Sequence, residues 1–276
     1  MPFKLKPHCN TGLFFTLGVY FERMCDNMEK RPILIIAAME DTELNILKNI
    51  NKIENKNQME TCTFYETAIN DYPVVLCCSN IGCIQASNAV TIAIMKYNPI
   101  AIINEGLAGA HGKNIHKGDI VIGTEVININ SIKTPKLKEG EGIDTFNWEL
   151  VTFIKGQDDV LKVERADELL INSVKNIEKE YTKGKVIYGR IGSGDVWNNE
   201  ADRIMHLNKK YNTLCEEMEG IAIYQIANQY NIPVIGIRVI SNNEVLEEKY
   251  DVSTGEKVQY FVQKLVEKYV ENYVNL

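Results

Sequence analysis

Carboxylates and amides gather in four short segments of this chain. They are Ala38-Met39-Glu40-Asp41-Thr42-Glu43, Asn104-Glu105-Gly106-Leu107-Ala108-Gly109, Glu216-Glu217-Met218-Glu219-Gly220 and Arg238-Val239-Ile240-Ser241-Asn242-Asn243-Glu244. An ionised carboxylate only accepts hydrogen bonds, and its two oxygens suit two neighbouring donors such as adjacent hydroxyls. It can also take a proton as a general base. Each segment has a plainer reading as well. The glycines can simply turn the chain, and Glu216, Glu217 and Glu219 can simply favour the positive end of a helix dipole. Gly106-Leu107-Ala108-Gly109 is not GxGxxG and no Gly-Lys-Ser/Thr follows, so neither a dinucleotide fingerprint nor a phosphate loop is supported. Cys9, Cys25, Cys62, Cys77, Cys78, Cys83 and Cys215 form no CxxC pair, and only four histidines accompany them. A metal cage is therefore not expected. The cysteine spacing reads as reduced, and a cytoplasmic location is expected.

The elements that must position these segments alternate. Ile33–Ala37 is a continuous apolar run, as a strand buried on both faces should be. Cys62–Ile69 and Pro73–Cys78 read as a hairpin. Ala86, Ala89, Val90, Ala93 and Ile94 mark one face of a helix that ends before Pro99. Ile100–Ile103 reads as a short strand opening directly into the Asn104–Gly112 loop. Further strands are expected at Asp119–Gly123, Lys185–Ile191 and Pro233–Ile240. Helices are expected around Leu170, Val174 and Ile177, over Glu219–Tyr230, and at the end, where Val258, Phe261, Val262, Leu265, Val266, Tyr269 and Tyr273 share one side. Ser131–Asp144 reads as a mobile surface loop. The alternation predicts a single α/β domain over residues 28–276 with a mostly parallel sheet. Ligands of such sheets lie at the carboxyl ends of strands, where the four segments fall.

Composition narrows the class. With 276 residues, 45% of them hydrophobic and 24% charged, the chain can bury a full core without disulfide staples. The net charge of −7 opposes non-specific binding to nucleic acid or to an anionic membrane. A small-molecule ligand is expected instead. Residues 1–27, with the apolar run Gly12–Phe21, read as an extension of unknown role upstream of the domain. A membrane or partner anchor is the alternative. His111 and His116 read as partly exposed loop residues, and His206 as solvated.

In order and spacing, the motifs resemble those of the 5′-methylthioadenosine/S-adenosylhomocysteine nucleosidases within the purine nucleoside phosphorylase superfamily. The resemblance runs from about Pro32 to the end. It rests on Ser79-Asn80-Ile81-Gly82 (family S-G-I-G), Asn104–Gly109 (N-x-G-S/T-A-G), Gly118-Asp119-Ile120-Val121 (G-D-I-V), Ser193-Gly194-Asp195 (S-G-D), Glu217-Met218-Glu219 (E-M-E) and Arg238-Val239-Ile240-Ser241 (R-x-I-S). It implies a three-layer α/β/α fold around a central mixed, mostly parallel sheet, and a cytoplasmic homodimer acting in methionine salvage. It implies hydrolysis of the N-glycosidic bond of a purine nucleoside, with water as nucleophile and no cofactor or metal. Glu219 would accept hydrogen bonds from the ribose hydroxyls, with Met218 under the sugar. Leu107, Ala108, Gly109, Glu217 and Ser241 would contact substrate, and Arg238 would orient a glutamate. Trp197 would lie against the purine, or else be a core aromatic.

Three positions depart from the family pattern. In A-M-x-x-E the ungapped position of the water-activating glutamate holds Thr42. One inserted residue would bring Glu43 there, with Glu40 as the alternative. The general acid expected after R-x-I-S is Asn242, which can donate a hydrogen bond but cannot release a proton. In the wider superfamily an Asn there accompanies 6-oxopurines, so a 6-oxopurine nucleosidase or phosphorylase, or a nucleoside-binding protein with weak or no catalysis, is the alternative. Glu244 is a candidate for the missing carboxylate. Leu107 replaces a Ser or Thr, and no arginine occurs between Arg31 and Arg165, which favours water over phosphate.

Overall fold

Strand β1, Ile33–Ala37, is buried along its whole length. The computed structural model that shows this describes residues 30–154 and 156–274. The extension expected over residues 1–27 lies outside them. After β1 the chain makes a wide π turn over Glu40–Leu44 and a short helix α1, Asn45–Ile50. Strands β2 (Asn55–Gln58), β3 (Thr63–Ile69) and β4 (Tyr72–Cys78) follow, then α2 (Cys83–Tyr97), β5 (Ala101–Ala110) and β6 (Ile120–Asn128). The second half holds β7 (Glu164–Arg165), α3 (Glu168–Ile177), β8 (Val186–Ser193), α4 (Ala201–Tyr211), β9 (Thr213–Glu217), α5 (Gly220–Gln229), β10 (Val234–Asn242) and α6 (Gly255–Tyr273).

The ten strands form one mixed sheet in the order β7-β6-β8-β9-β5-β1-β4-β3-β2, with β10 paired to both β5 and β6. β10 runs parallel to β5 and antiparallel to β6. Strands β5, β10, β6, β8 and β9 therefore close on one another. Strands β1, β4, β3 and β2 extend from β5 as an open wing. One apolar core packs α1, α3 and α6 on one face. A second packs α2 and α5 on the other. The result is a three-layer α/β/α sandwich, the layering that apolar-faced sheets and helices require. α2 stops where Asn98 turns left-handed, φ 47°, and its N–H bonds Ile94 O. Cys77 and Cys78 are buried free thiols within β4. No helix among the described residues is long and apolar enough to cross a membrane.

Two expectations need correction. The Asn104–Ala110 stretch is strand, not loop: β5 continues because Leu107 and Ala108 pair with Val239 and Ile240 on β10 while Gly109 and Ala110 pair with β9. The ladder takes up backbone groups that an open loop would leave to water, and the Glu43 side chain takes the Leu107 N–H. The second correction concerns Glu216 and Glu217, which end strand β9, while Glu219 stands just before α5. They are not the first turn of a helix.

Candidate active site

The four segments converge on one open-mouthed cavity of about 650 Å³. Ala38, Met39 and Glu43 come from the end of β1, and Leu107, Ala108 and Gly109 from β5. Glu216 to Glu219 come from the end of β9, and Ser241 and Asn242 from β10. Trp197, Asn198, Ile81 and Tyr250 complete the wall.

Glu43 reaches the cavity through the π turn. Such a turn holds one residue more than an α-helical turn, the insertion that the apolar register of α1 demands. Its carboxylate is 3% exposed. Oε2 accepts from the backbone N–H groups of Ala38 at 3.0 Å and Met39 at 2.8 Å, and Oε1 from Leu107 N–H at 2.9 Å. Gly106 is required here, since a Cβ would stand 2.7 Å from Glu43 Oε1. Burial raises the Glu43 carboxyl above its ordinary range; the three amides and Arg238 pull back against it without cancelling it. Glu40 instead turns away, hydrogen-bonded to Lys48 and Tyr65. Thr42, at the ungapped position, lies outside the cavity wall with its backbone oxygen bonded to Gln259.

Glu219 precedes α5, and its Oε1 accepts from Gly82 N–H at 2.7 Å. Gly82, at φ +103°, holds a conformation that side chains disfavour. Burial, and then the charge of Glu217, push the Glu219 carboxyl up to about 8. Glu217 sits deeper. It accepts from the N–H groups of Glu219 and Gly220 at the start of α5, and pairs with Arg238 Nη2 at 2.6 Å. Burial opposes its ionisation, but the Arg238 charge and hydrogen bonds from Ser193, Arg238 and Glu219 outweigh it and hold the carboxyl below its ordinary range. Arg238, 1% exposed, also bonds the backbone oxygen and side chain of Asn104. It touches the glutamate rather than the cavity.

Beside Gly109, two residues beyond Leu107 on β5, a register shift in β10 between Ile240 and Asn242 re-aims the strand. The amide of Asn242 projects beside Gly109, with Nδ2 3.0 Å from Glu244 Oε1 and Oδ1 2.9 Å from Ser241 Oγ. Trp197 is 62% exposed at the mouth and meets Tyr250 edge to face at 5.4 Å, so it is no core aromatic.

Sequence reasoning missed several groups. His111 is 1% exposed rather than half-open. Its Nδ1 lies 2.8 Å from Thr213 Oγ1 and its Nε2 3.0 Å from Glu216 Oε2. His116 does reach solvent, paired with Glu248. His206 packs edge-on against Phe146 with Nε2 covered. Glu105 is buried with neither carboxyl oxygen meeting a donor, and burial together with the Glu43 charge raises its carboxyl well above the ordinary range. The signal for His111 was available: once β5 runs on through Ala110, the next residue stays beside β9, whose Thr213 and Glu216 it meets.

A model of the phosphorylase superfamily matches residues 32–271. The chain is 30% identical to the 5′-methylthioadenosine/S-adenosylhomocysteine nucleosidase of Bacillus licheniformis over 212 residues, 76% of this chain and 85% of that one. It is also 30% identical to the nucleosidase of the same name from a Geobacillus species over 214 residues, 76% and 84% of the two chains. Among solved structures, the nucleosidase of that name from Neisseria meningitidis, in complex with methylthio-immucillin-A, superposes with a TM-score of 0.69 at 26% identity over 87% of this chain and 99% of that one. The futalosine hydrolase of Helicobacter pylori shares the fold, with a TM-score of 0.72 at 18% identity over 86% and 98% of the two chains.

Proposed function

The chain belongs to the 5′-methylthioadenosine/S-adenosylhomocysteine nucleosidase family within the phosphorylase superfamily, and on that premise we propose that it hydrolyses the N-glycosidic bond of a purine nucleoside of the 5′-methylthioadenosine/S-adenosylhomocysteine type. The observation that carries this reading is the pair of buried carboxylates, Glu43 and Glu219, on the wall of one cavity that the amide of Asn242 also lines.

Cleavage passes through a transition state with oxocarbenium character, so a water must lose a proton as it attacks and the ribose must be held. Glu43 takes that proton. Its amide contacts fix the carboxylate, and its raised proton affinity suits a base working near neutrality. Glu219, when ionised, accepts from the ribose hydroxyls above Met218. Asn242 donates a hydrogen bond to the departing purine, while Glu244 decides which end of the amide carries the donors. Water is favoured over phosphate because no lysine or arginine lines the cavity. A homodimer fits the apolar side chains left open beside the mouth and along α2, where Ile81, Ile84, Met95 and Trp197 are all exposed.

The test is incubation of the purified protein with 5′-methylthioadenosine, S-adenosylhomocysteine, adenosine, inosine and guanosine, with and without phosphate, followed by chromatography. Free base and free sugar at equal rates in both buffers are expected. Strict phosphate dependence with ribose-1-phosphate formation, or no base from any nucleoside, overturns the proposal.

A further inference from the structure

The wide turn over Glu40–Leu44 absorbs the extra residue that brings Glu43 to the cavity. Widening a turn has a cost. A π turn breaks the α-helical bonding pattern, and the first N–H groups of the helix that follows have no intrahelical partner. A polar side chain at the N-cap would ordinarily take them. Here the N-cap of α1 is Leu44, which cannot. Leu44 and Leu47, on either side of this junction, are fully buried, so water is a poor substitute.

Gln259 on α6 supplies the missing partners from the far end of the chain. Its side chain is fully buried. Oε1 accepts from the N–H groups of Ile46 at 2.7 Å and Leu47 at 3.2 Å, the second and third residues of α1. Nε2 donates to Thr42 O at 2.9 Å and to Gly255 O at 3.0 Å. Both amide hydrogens and both oxygen lone pairs are thereby used, and the partners fix the orientation, since N–H groups can face only the oxygen and carbonyls only the nitrogen. A second feature of α6 is built around the same Thr42 carbonyl. A Cβ on Gly255 would stand 2.6 Å from Thr42 O, so the helix can come this close only with glycine there. One turn further along, Asn51 Nδ2 links Leu47 O to Gln263 Oε1.

Resting on the reading of Glu43 as the base, we propose that Gln259 is a positioning residue of this site: it splints the one-residue insertion, so that the turn keeps the Glu43 carboxylate on the cavity wall. Gln259 does not line the cavity itself. One amide clamps backbone on both sides of Glu43, at Thr42 just before it and at Ile46 and Leu47 just after it. Without that amide, the buried N–H and C=O groups regain partners by rewinding the turn toward α-helical geometry. A shift of one residue is about 100° around the helix axis, which takes the carboxylate off the amides of Ala38, Met39 and Leu107 that now fix it. A chain without the insertion has no need of the splint.

The experiment sets Gln259→Met in two chains, the natural one and one from which Thr42 is deleted, and follows hydrolysis of 5′-methylthioadenosine. In the natural chain kcat should fall about 10- to 100-fold, the effect of a misplaced catalytic group. KM should stay within about threefold, because the residues that hold the nucleoside are untouched. In the deleted chain, where the insertion is gone, the same substitution should change kcat by less than about threefold. A kcat for Gln259→Met within about twofold of wild type, or equal losses in both chains, overturns the proposal. Amide hydrogen exchange of the wild type needs neither turnover nor a folded variant. Ile46 and Leu47 should exchange at least about 100-fold more slowly than free peptide amides, and exchange at the free rate rejects the splint even if every nucleoside is cleaved. Glu43→Gln keeps the two readings apart: full activity in that variant refutes Glu43 as the base and with it the positioning role, whereas slow exchange still supports the clamp on the turn.

Discussion

The two ends of the cavity are built differently. At the proposed ribose end the acidic groups are fixed mainly by backbone: Glu43 by the amides of Ala38, Met39 and Leu107, Glu219 by the amide of Gly82, and Glu217 by the start of α5 together with Arg238. At the base end, side chain holds side chain, with Glu244 on Asn242 and with His111 and Asn198 on Glu216. Backbone donors come with the fold, and any sequence that keeps Gly106 and Gly82 keeps them. Side-chain braces can be exchanged without disturbing a strand. On the proposed reading the hydrolytic step is tied to the architecture, and the choice of base is free to drift.

The largest effect should follow from disabling the ribose end. Glu43→Gln keeps the size and removes the base, so kcat should fall by about 10²- to 10⁴-fold, with a modest drop in melting temperature because the amide sets its NH2 against at least one of the three backbone N–H donors. In wild type, activity should rise with pH through an apparent pKa above the ordinary carboxylate value, because the raised carboxyl must be ionised to act. A variant of full activity would move the base elsewhere, with Glu40 the next to test. Arg238→Met tests the same end through stability. It strands Glu217 as an uncompensated buried charge, at a cost of about 3–5 kcal/mol. The melting temperature should drop by roughly 10 °C. Removing a base-end brace, as in Glu244→Gln, should shift it far less.

The same division explains what the sequence reveals. The ribose end was legible because its carboxylates sit in fixed spacings, Glu217-Met218-Glu219 and Met39 to Glu43, that follow from strand and turn geometry. Even the extra residue at Thr42 could be inferred from the helical register of Leu44 and Leu47, and a π turn accommodates it. The base end was not legible. Thr213–Glu217 is too short and too polar to announce a strand, and without it Glu216 resembled a dipole-favoured helix start. His111 seemed exposed because the glycines of Asn104–Gly112 suggested a loop, whereas they let side chains of other segments press against β5. Contacts such as His111 with Glu216 join residues far apart in sequence, and no local pattern encodes them.

At the base end, Asn242→Asp should restore acid chemistry. It sets a second carboxyl about 3 Å from that of Glu244, and two carboxyls so close cannot both ionise, so one holds a proton near neutrality. A 6-aminopurine nucleoside would then leave with N7 protonated, and its kcat should rise by up to about a hundredfold. An unchanged rate would mean that Asn242 lies too far from N7 to matter, and the contrast between the two ends would lose its main support.

The smallest effect is the most diagnostic of how the ribose end works. The Glu219 carboxyl is pushed up to about 8 by burial first and by the Glu217 charge second. Below that pH the group keeps its proton and has fewer acceptor sites for the two ribose hydroxyls, so KM should fall about tenfold as pH rises through 8. The effect on stability has the opposite sign. A carboxyl whose folded-state pKa exceeds the ordinary 4.5 stabilises the fold fully below that value and loses this contribution as pH climbs through 8. Glu219→Gln should therefore melt higher than wild type above pH 8, by a few degrees, while binding substrate more weakly. The two trends must appear together, because the desolvation that penalises an empty, ionised Glu219 is what the ribose hydroxyls relieve. A KM that stays flat from pH 6 to 9, with a melting difference that also stays flat, would remove Glu219 from substrate capture and leave that task to Met218 and the backbone alone.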